Sequence, residues 1–228
     1  MSSPVVASRY GVIVDFDGVV ARSTGMKYKT LLDSARHVGL VNLDQLILAL
    51  DAELNGADRA RVGHWLQDQM QRPGIAESFV NTFTSQWSTR TETVKPTEGF
   101  IPFIEAIQRS DARVCVVSLA PAREITTWLR TVMDPANFAG IFGIECGPKI
   151  VTTRLAIDRL RVVATSVMCI GDTPADFTAA AQFGCRFIRM HSAVGDRCDW
   201  SSYRVPTVTS FADLPSIFKA EFGIDLGG

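Results

Sequence analysis

Five apolar runs of strand length, most of them separated by helical patterns, constrain the fold of this chain more than any other feature. The runs are Tyr10–Phe16, Val114–Ser118, Ile141–Cys146, Val167–Ile170 and Arg186–Met190. The helical patterns between them cover about Phe100–Ser110, Ala122–Met133, Ile150–Leu160 and Ala175–Phe183. Continuous apolar strands that alternate with helices are typical of a parallel sheet whose two faces are both covered. The sequence therefore predicts an α/β fold with helices on both faces of a parallel sheet.

One long segment, from Gly25 to Thr93, breaks this alternation because it contains helical patterns and no convincing strand. Its apolar residues form four stripes at helical spacing. The stripes are Leu31, Leu32, Ala35 and Val38; Leu43, Leu46, Ile47 and Leu50; Val62, Trp65, Leu66 and Met70; and Ile75, Phe79, Phe83 and Trp87. Four such helices predict a small all-α insert at residues 24–94, with hinges at Ser23–Gly25 and Val94–Gly99. Residues 1–23 and 95–228 would then form the sheet domain.

The composition excludes several classes of protein. Hydrophobic residues make up 46% and charged residues 21%, the balance of an ordinary globular protein. The formal net charge is -1, so no basic field favours nucleic acid or an anionic membrane as a partner. No apolar run reaches the length of a membrane span, and the N-terminus does not resemble a signal peptide. The five cysteines are odd in number and widely spaced, which favours a reducing cytoplasm over a disulfide framework or a zinc site.

An acid pair, Asp15 and Asp17, follows the apolar run Gly11–Val14. Burying an ionised carboxylate without a partner costs free energy, so a pair at the end of a buried strand indicates a cation or a reaction. Such a pair suits a hard divalent metal such as Mg²⁺, a nucleophilic carboxylate and a second carboxyl as acid and base. The alternative is two solvated acids before the turn at Gly18.

Two further candidates lie where ligands gather in parallel sheets, beyond the carboxyl ends of strands. Ser118 ends an apolar run and precedes Pro121, so its hydroxyl could help to bind phosphate at a helix start or could be a plain N-cap. Lys149 lies at the start of the next helical pattern, where a cation opposes the helix dipole by about 0.3–1 kcal/mol. An anionic ligand nearby would reverse that sign.

A second acid pair, Asp172 and Asp176, follows the apolar run Val167–Ile170. Thr173 and Asp176 form a plausible capping box, with Pro174 at the first helical position. Asp172, at the strand end, could join Asp15 and Asp17 around one metal ion. Asp176 lies one helical turn further on and could complete or orient the metal ligands.

The order of these features resembles the motif set of the haloacid dehalogenase-like superfamily over nearly the whole chain. Asp15-Phe16-Asp17-Gly18-Val19 is similar to its first motif, Ser118 to its second, Lys149 to its third and Gly171-Asp172-Thr173-Pro174-Ala175-Asp176 to its fourth. The resemblance implies a Rossmann-like core, with the helical insert in the place of the C1 cap.

The resemblance also implies a Mg²⁺-dependent phosphomonoester hydrolase. Asp15 would attack the phosphorus, Asp17 would act as acid and base, and Ser118 and Lys149 would hold the phosphoryl oxygens. The metal ligands would be Asp15, the backbone carbonyl of Asp17 and Asp172, with Asp176 in support. Dehalogenases of the family lack a carboxylate at the position of Asp17, which argues against carbon–halogen cleavage.

Substrate contacts are expected from Arg22 and from the loop that holds Asn55, Gly56 and Arg59. Arg22 stands where many family members have an acid, and it is either a cleft residue or a hinge arginine in solvent. The loop resembles that of the β-phosphoglucomutase-like branch, although Asn55 replaces the lysine usual in its mutases. Arg59 could equally be an ordinary arginine at a helix start.

Several functions remain open at this point. A phosphatase acting on a small phosphorylated metabolite, as a monomer or a homodimer, is the leading hypothesis. A β-phosphoglucomutase-like mutase is the alternative, although mutases often carry an acid in place of Gly171. A phosphonatase would need a Schiff-base lysine, and Lys27 and Lys29 in the insert match no known motif. A module without enzymatic activity would leave the complete motif set unexplained.

Overall fold

The structure, a computed structural model, describes residues 10–54 and 57–223. Two compact units are separated at Arg22–Ser23 and at Val94–Lys95. We call Ser23–Val94 the helical unit and the remainder the sheet unit. Within the described ranges, none of the helices has the length and apolar character needed to cross a bilayer.

Among the residues that the structure describes, the sheet unit is built on six strands, all paired in parallel, in the order β3-β2-β1-β4-β5-β6. The strands are β1 (Tyr10–Val14), β2 (Ala112–Val117), β3 (Gly140–Phe142), β4 (Val167–Gly171), β5 (Arg186–Met190) and β6 (Thr207–Val208). This order is that of the doubly wound Rossmann fold, in which ligands bind beyond the carboxyl ends of the strands. The α/β fold predicted from the sequence is therefore confirmed.

Helices cover both faces of this sheet. They are α5 (Phe100–Arg109), α6 (Ala122–Leu129), α7 (Lys149–Leu160), α8 (Pro174–Gln182) and α9 (Leu214–Phe222). Ile13 and Cys115 pack in one buried cluster with Leu160 of α7 and Ala180 of α8. Because successive strand residues point to opposite faces, the burial of Val12 and Val14 shows that the other face is also covered.

In its described part, the helical unit forms four α-helices, as the apolar stripes predict. They are α1 (Thr24–His37), α2 (Leu43–Asp51), α3 (Arg59–Met70) and α4 (Ile75–Arg90). Their shared core includes Ala35, Leu46, Leu66 and Phe79. Arg90 of α4 joins α1 through hydrogen bonds to Thr30 (3.0 Å) and Asp33 (2.7 Å).

The predicted strand Ile141–Cys146 is wrong beyond Phe142, because the chain turns there to pack against the start of α6. The Glu145 carboxylate accepts a hydrogen bond from the Ala122 N–H at 2.9 Å, and Ile144–Cys146 forms a short 3-10 helix. A Cβ atom at Gly143 would lie 2.3 Å from the Ala122 nitrogen, so only glycine permits this approach. The predicted helix Ala122–Met133 is also too long, since α6 ends at Leu129. Strand β6 and helix α9 were not predicted.

Candidate active site

Two aspartates lie at the carboxyl ends of neighbouring strands in the middle of the sheet. Asp15 directly follows β1, and its N–H donates to the Ile170 carbonyl of β4 at 2.9 Å. Asp172 directly follows β4 and is only 1% exposed. Val14 pairs with Ile170 in the parallel register, so the sheet itself brings the two acids together. Both side chains are buried, whereas Asp17 is half-buried.

A third carboxylate completes an acid cluster. One ligand oxygen from each of Asp15, Asp172 and Asp176 lies within 4.8 Å of the others. Asp176 is held by the Thr173 N–H at 3.1 Å and the Thr173 hydroxyl at 2.7 Å, within the predicted capping box. A Cβ atom at Gly171 would lie 2.3 Å from the Asp176 Cβ. Asp176 can therefore occupy its observed position only because residue 171 is a glycine.

Lys149 binds two members of this acid cluster. Lys149 is the first residue of α7. Its ammonium donates hydrogen bonds to Asp15 Oδ1, to Asp176 Oδ1 at 2.6 Å and to the Val117 carbonyl at 3.4 Å. Its side chain is only 11% exposed. Burial alone would lower the pKa of Lys149, but the carboxylates of Asp15 and Asp176 outweigh burial and hold that pKa well above its usual range. Lys149 is therefore charged, and two carboxylates share it.

The acid cluster carries more negative charge than Lys149 can balance. Burial raises the pKa of Asp15 to about 7, against the attraction of Lys149, and the neighbouring charges of Asp176 and Asp17 add to the rise. Burial also raises the pKa of Asp172 well above its ordinary value, and the negative charges of Asp15 and Asp176 raise it further. With all three carboxyls ionised, the acid cluster and Lys149 would have a net formal charge of −2, which a divalent cation would balance.

One oxygen of the acid cluster favours a cation directly. Among the described residues, Asp172 Oδ1 has no hydrogen-bond partner although it is fully buried. A buried carboxylate oxygen without a partner is costly, and a metal ion would satisfy it. The all-oxygen donor set suits a hard divalent cation. The residues present therefore fit a divalent metal.

Asp17 lies in a tight loop that follows Asp15. The Ala21 N–H donates to the Phe16 carbonyl at 2.9 Å, and the Gly18 N–H donates to the Ala21 carbonyl at 2.8 Å. Gly18 has φ 84°, a conformation that favours glycine. These bonds hold the backbone on both sides of Asp17. The side chain of Asp17 does not belong to the acid cluster of Asp15, Asp172 and Asp176, although its charge contributes to the raised pKa of Asp15.

Ser118 lies directly after β2, next to Val117, whose carbonyl accepts from Lys149. It is buried, and its Oγ accepts a hydrogen bond from the Ala120 N–H at 3.1 Å. Helix α6 begins at Ala122 with Pro121 as its N-cap, so Ser118 is not the cap of that helix.

The expected substrate contacts belong to both units. Arg22 belongs to the sheet unit and is exposed. Arg59 is the first residue of α3, where its guanidinium donates to Thr84 Oγ1 at 2.8 Å and lies 4.9 Å from the centre of the Phe83 ring. Asn55 and Gly56 lie outside the described residues.

Ser192, which was not predicted from the sequence, also contacts the acid cluster. Its hydroxyl donates to Asp172 Oδ2. Ser192 lies two residues beyond the end of β5, so a polar residue just past an apolar run was the available signal.

The comparisons with known proteins agree with this architecture. A family model described as haloacid dehalogenase-like hydrolase matches residues 12–190. The chain therefore belongs to the haloacid dehalogenase-like hydrolase family, as its four motifs indicated. No curated protein matches the chain significantly.

Solved structures share the fold at low sequence identity. A predicted phosphoglycolate phosphatase from Haemophilus somnus has a TM-score of 0.74 and 16% identity, covering 92% of this chain and 98% of its own. A mutant of CbbY from Rhodobacter sphaeroides, in complex with xylulose-(1,5)bisphosphate, has a TM-score of 0.74 and 13% identity, covering 90% and 96%. A family hydrolase from Deinococcus radiodurans, with bound phosphate and sodium, has a TM-score of 0.66 and 16% identity, covering 95% and 97%. At these identities the similarity shows the fold alone.

Proposed function

We propose that this protein is a Mg²⁺-dependent phosphatase that hydrolyses a small phosphate monoester through an aspartyl-phosphate on Asp15. The observation that carries the proposal is the acid cluster of Asp15, Asp172 and Asp176 with Lys149 bound to two of its members. A buried carboxylate at a strand end, beside a charged lysine and a divalent-metal site, suits attack on an anionic phosphoryl group.

The metal ligands in this proposal are Asp15, Asp172 and the backbone carbonyl of Asp17, with Asp176 in support. When bound, Mg²⁺ would neutralise charge on the phosphoryl oxygens and on the carboxylates. A divalent cation beside Asp15 would also oppose the effect of burial and lower the pKa of that carboxyl below about 7. Asp15 would then be ionised, as a nucleophile must be.

The protein side chains divide the reaction between them. The Asp15 carboxylate attacks the phosphorus, the bond to the ester oxygen breaks, and Asp17 gives that leaving oxygen a proton. Asp17 then removes a proton from water, which attacks the phosphorus and releases inorganic phosphate from Asp15. Lys149 and Ser118 bind the phosphoryl oxygens and stabilise the charge that develops on them.

A small phosphorylated metabolite is the proposed substrate class. The solved CbbY mutant holds xylulose-(1,5)bisphosphate and the Deinococcus hydrolase holds phosphate, so this fold accommodates such ligands in other chains. We infer that the helical unit serves as a C1 cap and contributes to substrate choice. Asn55, Gly56 and Arg59 in that unit, together with Arg22, are the candidate substrate-binding residues.

A β-phosphoglucomutase-like mutase has less support. The acid that mutases often carry at position 171 would need a Cβ atom 2.3 Å from the Asp176 Cβ, so this chain cannot accept it without moving Asp176. Gly171 therefore favours hydrolysis over phosphoryl transfer to a second sugar hydroxyl.

The test is a panel of phosphate esters followed by ³¹P NMR, with Mg²⁺ or with excess EDTA. We expect inorganic phosphate to appear only with Mg²⁺, whereas a mutase would give an isomeric ester. Asp15→Asn should abolish turnover because an amide cannot form the acyl-phosphate, and the exposed Asp158→Asn is the matched control. Wild-type rates in EDTA, or in well-folded Asp15→Asn protein, would contradict the proposal.

A further inference from the structure

The Ser192 hydroxyl bridges the backbone and the acid cluster, and its hydrogen bonds can run in only one direction. It is buried, its hydroxyl donates to Asp172 Oδ2, and its Oγ accepts from the Gly195 N–H at 2.9 Å. A backbone N–H can only donate, and a hydroxyl has a single proton. The serine proton is therefore directed at the carboxylate of Asp172.

The turn that follows β5 holds Ser192 in this position. A Cβ atom at Gly195 would lie 2.1 Å from the Asp172 carbonyl oxygen, so only glycine lets the turn approach so closely. The Gly195 carbonyl accepts from the Trp200 indole N–H at 2.8 Å, and the Asp196 N–H donates to the Ser192 carbonyl at 2.9 Å. Arg189 of β5 pairs with Asp196 at 2.6 Å. The turn is thus tied both to its own strand and to the segment after it.

The two oxygens of Asp172 consequently have different surroundings. Oδ2 accepts from Ser192, whereas Oδ1 is buried and, within the described residues, has no partner. A hydrogen bond to one oxygen restricts rotation of the carboxylate and fixes where the other oxygen lies. Groups of this kind orient metal ligands, and their loss typically weakens metal affinity by about 10–100-fold.

We propose that Ser192 is a positioning residue, which holds the carboxylate of Asp172 so that its Oδ1 is presented to a divalent cation. This inference rests on the metal site of the proposed function. It assigns a role to the turn after β5, which none of the four sequence motifs includes.

The test is the Mg²⁺ affinity of chelator-treated protein, measured by titration calorimetry without substrate. Ser192→Ala should raise the Kd for Mg²⁺ by about 10–100-fold, and Ser192→Thr, which keeps the hydroxyl, should restore most of the affinity. The control is Ser216→Ala, which removes an exposed hydroxyl at the start of α9 and should leave the Kd unchanged. Thermal unfolding without metal, run in parallel, separates a loss of stability from a loss of affinity.

The outcomes are distinguishable. A folded Ser192→Ala protein with the wild-type Kd would overturn the inference and leave the proposed function intact, even if its Tm were lower. Wild-type protein that binds no Mg²⁺ would overturn the metal site of the proposed function and this inference with it. If Ser192→Ala does not fold, Ser192→Val is compared with Ser192→Thr, which has nearly the same shape but keeps the hydroxyl, and equal Kd values for the two variants would overturn the inference.

Discussion

Replacing the proposed nucleophile should make the metal-free protein more stable at alkaline pH. The pKa of Asp15 rises from 3.8 to about 7, because burial and the nearby acids Asp176 and Asp17 outweigh the attraction of Lys149. The ionised carboxylate therefore destabilises the folded, metal-free protein. The amide side chain of the Asp15→Asn variant has nearly the same shape as the carboxylate and carries no charge.

The magnitude follows from linkage between protonation and folding. The folded state binds the Asp15 proton more tightly than the unfolded state, so wild-type stability falls as pH rises from about 4 to about 7. A pKa difference of about 3 units, at 1.36 kcal/mol per unit, destabilises the wild type by up to about 4 kcal/mol at pH 8. Asp15→Asn escapes this loss, which corresponds to a rise in Tm of roughly 8–16 °C for a chain of this size. At pH 5 less than half of the gain, between about 1 and 2 kcal/mol, should remain.

The assay is thermal or urea unfolding in EDTA at pH 5 and pH 8. Asp158→Asn removes an exposed carboxylate and should change stability by no more than about 0.5 kcal/mol at either pH. Adding Mg²⁺ should stabilise the wild type more than Asp15→Asn, because the variant has lost a metal ligand. The reasoning is refuted if Asp15→Asn is less stable than the wild type at pH 8 in EDTA, or if its gain does not depend on pH.

Three further predictions concern the site and the helical unit. Asp172→Ala should weaken Mg²⁺ binding in calorimetry far more than Asp176→Ala, because Asp172 Oδ1 has no hydrogen-bond partner among the described residues, whereas Asp176 is bound to Lys149 and Thr173; equal losses would contradict this order. Gly171→Ala should lower the unfolding free energy by about 1–3 kcal/mol, through the clash with Asp176, and weaken Mg²⁺ binding as well; an unchanged Tm and Kd would show that Asp176 can move freely. Arg59→Ala should lower kcat/KM for the best natural ester more than for an aryl phosphate. A proportional loss on both esters would assign Arg59 to packing within the helical unit, where it contacts Thr84 and Phe83.

Much of the fold could be predicted because its main signal is local. The strand of Arg186–Met190 has the predicted bounds, and the four helices of the insert follow from apolar residues at helical spacing. Strand β6 has only two residues, Thr207–Val208, and exists because it pairs with Arg189 and Met190. The end of β3 is likewise set by the contact of Glu145 with Ala122. Pairings between distant segments leave no periodic pattern in the sequence.

The site residues could be found individually, because each follows an apolar run or begins a helix. Which of them bind each other could not be predicted. Lys149 lies 134 residues from Asp15 in sequence and 27 from Asp176, and it binds both. A cation at the start of a helix is unfavourable by about 0.3–1 kcal/mol, and the sequence suggested that an anionic ligand offsets this cost at Lys149. The two carboxylates already do so, because both accept hydrogen bonds from the ammonium of Lys149. A phosphoryl oxygen must therefore compete with Asp15 and Asp176 for this ammonium, and a divalent cation on the same carboxylates would ease that competition.

Substrate binding should accordingly tighten with Mg²⁺ in Asp17→Asn protein, which keeps the acid cluster and Lys149. Calorimetry with a non-hydrolysed phosphonate, with and without Mg²⁺, would measure the change in affinity.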